Sequence, residues 1–381
     1  MEQILFISNI AKRVGSFSMA SLEAAKRCGM QFHIAANWEF ADKEQIKEDQ
    51  NKYNIKIHNI SLARSPYSPV NLKAYRQLVE IIKREKIDYI HCNTPVGGVL
   101  GRLAGKKCRV KKVIYQAHGF HFYKGAPFKN WLLYYPVERG LAHYTDTIIT
   151  INSEDYERAK KFRLRNHGKV YYVPGVGIDT SQYHTDEKSR IEKRRELGIP
   201  LDAILMISVG ELNDNKNNQL IIEALGKMKN ESIHYVLCGI GERENELKYQ
   251  AQKLGLGNNI HFLGYRMDVK ALMNASDIFV MPSYREGLSR SIMEAMASGL
   301  PCIVSKIRGN VDLIDESKGG FLFSPDDVDK AIESISILAQ RGGLRKDMSD
   351  WNKKKIRHFD ITKVIECMIQ IYKEELSRSK R

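Results

Sequence analysis

Short apolar runs recur along the chain, each followed by a longer stretch with helical spacing. In the first half the runs are ILFIS from Ile4, FHIAA from Phe32, IKIHNI from Ile55, DYIHC from Asp88, KVIYQA from Lys112 and TIITI from Thr147. In the second half they are ILMISVG from Ile204, IHYVLC from Ile233, NIHFLG from Asn259, DIFVM from Asp277, PCIVS from Pro301 and GFLF from Gly320. Rich in β-branched and aromatic residues, these runs predict strands. The stretches between them, such as Asn71 to Lys86 and Ser153 to Arg165, predict helices. Such alternation gives parallel sheets covered on both faces. The expected fold class is α/β, with two Rossmann-like domains whose sheets face each other across a cleft. Ligands in such folds bind at the carboxyl ends of the strands.

The rhythm resets near residues 175–200. Pro174, Gly175 and Gly177 precede a charged stretch from Asp186 to Glu196, which marks a domain junction. The expected domains are 1–180 and 181–357. The last segment, Ile361 to Leu376, reads as one amphipathic helix with a basic tail, SRSKR. Residues from about 358 to 381 are expected to pack back on the first domain. No internal repeat or low-complexity segment is visible.

A length of 381 residues suits two domains, and 43% apolar with 28% charged residues is enough for packed cores. No run of eighteen apolar residues occurs, and the start, MEQILFISNI, has the acid Glu2 where a signal peptide has bases. The cysteines Cys28, Cys92, Cys108, Cys238, Cys302 and Cys367 are scattered without a CxxC pair. That spacing argues against a zinc site or disulfide framework and suits a reducing cytoplasm.

The net charge of +15 favours anionic partners. It is unevenly spread. Between Asp88 and Glu138 there is no acid, and the bases Arg102, Lys106, Lys107, Arg109, Lys111, Lys112, Lys124 and Lys129 share the stretch with Phe120, Phe122, Tyr123, Phe128, Trp131, Tyr134 and Tyr135. Bases interleaved with aromatics suit single-stranded nucleic acid or an anionic membrane, and a charge run can also be no more than a solvated face.

The segment MPSYREGLSRSIMEAMASGLPCIVS carries the sharpest chemistry. Pro282, Ser283 and Gly287 make a loop after the strand DIFVM, and a helix is expected from Leu288 or Ser289 to about Ser298, ended by Gly299 and Pro301. The free amides of Gly287, Leu288, Ser289 and Arg290 at that helix start suit a diphosphate. Glu286 lies before the helix and Glu294 inside it, roughly 9 Å along the axis. Two carboxylates so placed can flank one extended ligand, and a carboxylate accepts well from a sugar diol.

This segment resembles the family-4 retaining glycosyltransferases, which carry Glu, seven residues, Glu within a context like PSxxEGxxxxxxEAMAxGxP. Here it reads PSYREGLSRSIMEAMASGLP. The resemblance spans essentially the whole chain and is nearest to bacterial members that build capsule, exopolysaccharide and lipid-linked repeats. HCNTPVGGVLGR, AHGFHFYKGAP and VYYVPGVGID are similar to their hallmarks. The resemblance implies the double-Rossmann fold called GT-B. It implies that Glu294 holds donor ribose hydroxyls, that Glu286 lies near the transferred sugar and that Lys216 contacts the donor diphosphate. His118 matches the histidine beside the reacting sugar, whereas His121 has no firm counterpart. Gly15 occupies the place of the family's glycine-rich loop. One departure stands out. Where many members have arginine before the lysine, this chain has Glu211, so Arg290 or Arg285 is expected to supply the missing positive charge.

Other signals resolve toward structure. Asp327-Val328-Asp329 fits a metal-binding DxD but falls where a helix begins. Gly239 and Gly241 lack the third glycine of a dinucleotide fingerprint. No metal and no cofactor is expected.

The expected function is retaining transfer of a sugar, from a nucleotide-diphosphate donor such as a UDP-sugar, to a glycan acceptor. In the family that acceptor is a sugar on a polyprenyl diphosphate or an oligosaccharide. The expected location is the inner face of the plasma membrane, with 102–135 against anionic lipid and no nucleic-acid partner. Two rivals are a non-hydrolysing sugar-nucleotide epimerase, which converts its donor without an acceptor, and a non-catalytic assembly protein, which lacks donor affinity.

Overall fold

The computed structural model describes residues 1–379, the side chain of Ser16 apart. Lys380 and Arg381 of the basic tail lie outside the described residues. The chain divides into two compact units, one comprising Met1–Gly177 and the segment from Ile361 onward, the other Ile178–Asp360. Ile178 N–H bonds Phe359 O, and Thr180 N–H bonds Asp360 Oδ2. Residues 358–360 therefore belong to the second unit, and the junction falls at Gly177/Ile178, three residues before the expected boundary.

In the first unit β1 (Gln3–Ile10), β2 (Gln31–Asn37), β3 (Lys56–Asn59), β4 (Tyr89–Asn93), β5 (Lys112–Ala117), β6 (Thr147–Thr150) and β7 (Lys169–Tyr172) form one sheet in the order β3-β2-β1-β4-β5-β6-β7. Every pairing is parallel. Apolar side chains leave both faces, as helix-covered parallel strands require. Ile4 and Phe6 join one core, Leu5 and Ile7 the other. β7 adds an edge strand that the apolar runs did not reveal.

The second unit repeats the plan with β8 (Ile204–Val209), β9 (Ile233–Cys238), β10 (Ile260–Gly264), β11 (Ile278–Met281), β12 (Cys302–Ser305) and β13 (Gly320–Phe323), in the order β10-β9-β8-β11-β12-β13. Both units are Rossmann-like. In each, strand order reverses beside the first strand, at β1/β4 and at β8/β11, where a crevice opens at the carboxyl ends. The duplication reaches single residues. His33 on β2 stacks on His58, and His234 on β9 stacks on His261, with ring nitrogens 2.9 and 3.0 Å apart. No sequence repeat announces this likeness.

The Ile361–Ser379 helix returns to the first unit and packs on the Ser16–Arg27 helix. Val364, Met368, Ile371 and Tyr372 are buried there, each large side chain contributing roughly 1.5–3 kcal/mol. Polar pins set its register. Tyr372 OH and His91 Nδ1 share a hydrogen bond of 2.8 Å, and Thr147 Oγ1 donates to Glu375 at 2.8 Å.

The charged stretch forms the Glu187–Glu196 helix. It docks through guanidinium groups. Arg194, 1% exposed, donates to Ala275 O, Ala203 O and Asp277 Oδ2, and Arg190 reaches Asp277 Oδ1 at 2.6 Å. Among the described residues no helix is long and apolar enough to cross a membrane.

Candidate active site

Two loops of the second unit carry the candidate donor residues. One runs from Gly210 to Asn217 after β8 and the other from Pro282 to Ser289 after β11, and these strands are sheet neighbours. The loops are tied together. Tyr284 N–H donates to Asn215 O at 2.8 Å, and Asn215 Nδ2 donates to Arg285 O at 3.0 Å. Asn213 Oδ1 accepts from Lys216 N–H at 3.1 Å. Asn217, at φ 52°, uses the left-handed region that asparagine tolerates, and its Nδ2 reaches Pro282 O and Pro325 O. The asparagine-rich run NDNKNN thus builds the turn.

Lys216 Nζ then meets Glu286 Oε1 at 2.7 Å. The side chains are 20% and 14% exposed, so water screens this pair less than a surface pair. Gly210 gives the lysine its path, since a Cβ there would lie 3.0 Å from Lys216 Cε.

The helix after the second loop spans Arg290–Ala297, a residue or two later than the sequence suggests. Ser289 is its cap. Its Oγ accepts from Ile292 N–H at 3.4 Å and lies 3.1 Å from Ser291 Oγ. The Ser289 hydroxyl therefore already serves the helix. Leu288 packs against the core of the unit. Glu294 is the fifth helical residue, and its Oε1 accepts from Arg290 Nε at 2.8 Å. Tyr183 lies beside it, and burial together with the Glu294 charge holds its phenol above the usual range.

Arg290 thus pairs with Glu294 across one helical turn, with its side chain 46% exposed. Arg285 is exposed and its carbonyl serves the loop. Glu211 is exposed as well. The sequence reading passed over Arg308, on the turn after β12. It is 7% exposed, and its Nε donates to Glu286 O at 3.3 Å. The adjacent Gly309, at φ 80°, passes so close that a Cβ would sit 2.2 Å from Gly287 O. The Arg-Gly pair after PCIVS was the signal available for finding it. Lys216 and Arg308 thus bring two bases to the segment that holds Glu286 and Gly287.

In the first unit, His118 follows β5. Its Nε2 donates to Asn93 Oδ1 at 3.0 Å, and Phe17 meets the ring edge-on. An amide oxygen only accepts, so the proton stays on Nε2 and Nδ1 is left as an acceptor. The residue is half-buried, and burial of the ring pushes its pKa down to about 4. His121 meets the Tyr134 ring at a tilt of 32° and offers its carbonyl to Asn130. Gly15 caps the Ser16–Arg27 helix with extended backbone at φ −140°. A Cβ there meets little, the nearest atom being Arg13 O at 3.9 Å, so neither backbone nor space demands glycine.

Asp327 caps the helix from Val328, accepting from Lys330 N–H at 2.9 Å. Among the described residues no cluster of three or more His, Cys, Asp and Glu is placed to hold a metal ion. Gly239 serves a close crossing, where a Cβ would lie 1.8 Å from Gly210 O.

The basic and aromatic stretch is less of a surface than its composition suggests. Arg102 is buried and grips Glu138 with two bonds, at 2.7 and 3.1 Å, while stacking on Tyr115. Lys112 is buried near Asp146 and Glu375. Phe120 and Phe122 lie in the core. Exposed bases remain at Lys106, Lys107, Arg109, Lys124 and Lys129. The Phe128–Ala142 helix adds a bare apolar stripe, with Phe128 80% and Leu132 64% exposed beside Leu133 and Val137.

Comparison with known proteins finds matches to both units. Residues 189–355 match the family described as Glycosyl transferases group 1, and residues 4–152 match Glycosyl transferase 4-like. EpsD of Bacillus subtilis, which carries a glycosyltransferase name, is 36% identical over 376 residues, covering 97% of this chain and 96% of that protein. The UDP-Gal:alpha-D-GlcNAc-diphosphoundecaprenol alpha-1,3-galactosyltransferase of Escherichia coli is 30% identical, over 82% of this chain and 81% of its own. Among solved structures, Anabaena HepE with UDP and glucose superposes with a TM-score of 0.79 at 20% identity, covering 98% of this chain and 100% of that one.

Proposed function

We propose, from the premise that this chain belongs to the group 1 glycosyl transferase family, that it moves a sugar from a UDP-sugar to a lipid-linked glycan acceptor with retention of anomeric configuration. The chain is a glycosyltransferase of polysaccharide biosynthesis; donor, acceptor and stereochemistry are the proposal. The observation that carries it is the Lys216–Glu286 pair on two zipped loops, one turn of chain before the Arg290–Ala297 helix that holds Glu294.

In this reading Glu294 accepts from the ribose hydroxyls of the donor. Lys216, helped by Arg308, offsets charge on the departing diphosphate. The acceptor oxygen bonds to the anomeric carbon from the face the diphosphate leaves, the bond from that carbon to the phosphate oxygen breaks, and the acceptor proton passes to the leaving phosphate. His118 stays neutral and its Nδ1 accepts from a sugar hydroxyl, a positioning role. Undecaprenol-linked acceptors appear in the names of two relatives, from Escherichia coli and Campylobacter jejuni. With them, the exposed stripe on the Phe128–Ala142 helix and its flanking bases support peripheral contact with an anionic inner leaflet.

Saturation-transfer NMR against a panel of sugar nucleotides tests the donor site. Signal transfer to uridine and ribose protons is expected, weakened by Glu294→Ala. Equal transfer to every nucleotide, unaltered by that substitution, sinks the assignment.

A further inference from the structure

The first unit holds an exposed aromatic ring beside His118 that the donor site does not use. Phe17, in the first turn of the Ser16–Arg27 helix, is 58% exposed. A phenyl group does nothing for a helix start, where short polar or acidic side chains serve the free amides. The ring is nonetheless fixed. Behind it Ala20, Ser21, Gln116, Val364 and Met368 leave a gap of only about 10 Å³, room for one water molecule and not for a phenyl ring. The backbone beneath it is fixed as well. Ser18 N–H and Met19 N–H both close on Gly15 O, at 2.9 and 3.2 Å, and Val14 N–H donates to the buried Asp49 carboxylate at 2.8 Å.

Phe17 and His118 make a corner. Their ring centroids are 5.2 Å apart and their planes meet at 68°, so the rings stand edge to face instead of stacking. One wall of the corner is apolar. The other is an imidazole whose Nε2 is taken by Asn93 Oδ1 at 3.0 Å and whose Nδ1 is an acceptor. With its pKa pushed down to about 4 by burial, that imidazole is neutral at physiological pH.

A pyranose ring matches both walls. One of its faces carries C–H groups with slight positive charge, which the negative face of an aromatic ring attracts. Its rim carries hydroxyls that donate. A hydrocarbon chain has no use for the imidazole nitrogen, and a phosphate none for the phenyl ring. Sites built of an aromatic wall and a few placed polar groups are the common form for small ligands.

We propose that Phe17 is a stacking platform for the terminal pyranose of the acceptor. It holds the C–H face of that ring while His118 Nδ1 takes one of its hydroxyls, and it selects acceptor sugars that present an unbroken C–H face. The proposal rests on the reading that the chain transfers to a glycan.

Saturation-transfer NMR on the full chain with UDP bound tests it. The probes are methyl α-galactopyranoside, methyl N-acetyl-α-glucosaminide and glycerol, a polyol without a ring. Transfer to the ring C–H protons of at least one pyranoside is expected at three times the glycerol level or more. Phe17→Leu keeps the apolar volume and loses the aromatic face, and should lower that transfer fivefold or more. Phe17→Tyr should keep it within twofold. Leucine that serves as well as phenylalanine, tyrosine that fails as leucine does, or transfer no greater than to glycerol overturns the proposal. UDP binding is measured on the same samples. A chain that binds UDP but neither pyranoside loses the platform and keeps the donor site; one that binds none of them loses both.

Discussion

Lys216 and Glu286 stand seventy residues apart in sequence and share a hydrogen bond of 2.7 Å. The contact exists because the loops after β8 and β11 are zipped by Asn215. The ammonium is therefore held in place by the protein itself, as the proposed stabilisation of a departing diphosphate requires of a preorganised charge.

Lys216→Ala should lower kcat by about 100-fold or more, the range seen when one preorganised charge-stabilising donor is lost. Lys270→Ala is the control, because among the described residues Lys270 reaches Gln182 and the Tyr183 ring. It should change kcat less than twofold. Steady-state kinetics with the natural donor check this, and comparable losses in both variants refute the role of Lys216.

Gly309→Ala should separate the donor loop from the fold. At φ 80°, with a Cβ 2.2 Å from Gly287 O, alanine must push the Glu286–Leu288 segment away. UDP affinity is expected to fall tenfold or more while circular dichroism shows the unit still folded, at a cost of about 1–3 kcal/mol. Wild-type UDP affinity in a folded variant contradicts the geometry.

Acid should destabilise the first unit. His33, His91 and His118 are pushed down to about 4, 3 and 4 from an ordinary 6.5, in each case chiefly by burial. The unfolded chain binds the extra protons first. The stability they confer is present above pH 6.5 and drains as pH falls toward 4. For His33 the drop corresponds to roughly 3 kcal/mol at most. Urea melts at pH 7.5 and 5 should show the loss, reduced in His33→Gln. Because His118 titrates near 4, the rate profile should carry no limb at 6.5 that depends on it.

Membrane contact should follow the apolar stripe, not the whole basic stretch. Leu132→Glu with Leu133→Glu is expected to abolish flotation on anionic vesicles without loss of stability, since both side chains are already exposed. Arg102→Met should instead cost about 3–5 kcal/mol by stranding the Glu138 carboxylate. Equal binding of wild type to neutral and anionic vesicles removes the electrostatic part of the proposal.

The fold was legible where burial writes a pattern. The twelve apolar runs all became strands, because parallel strands between helices must be apolar on both faces. β7 escaped because Lys169 and Tyr172 at its ends are exposed, which leaves only Val170 and Tyr171 to mark it. The Glu187–Glu196 helix escaped because arginines dock it, so it has no apolar stripe to count. At the site, Glu286, Lys216 and Glu294 could be named from spacing and resemblance. That Arg290 turns toward Glu294, and that Arg308 comes in under Glu286 from another strand, depend on tertiary neighbours that local sequence does not encode.

The returning Ile361–Ser379 helix also sets an order of events during synthesis. The second unit is complete once Asp360 has emerged, whereas the first, begun 360 residues earlier, still lacks the partner that covers Ala24, Ala25 and His91. The half of the chain translated first is thus the last to close. Until then its uncovered sheet face is exposed to chaperones, proteases and other nascent chains.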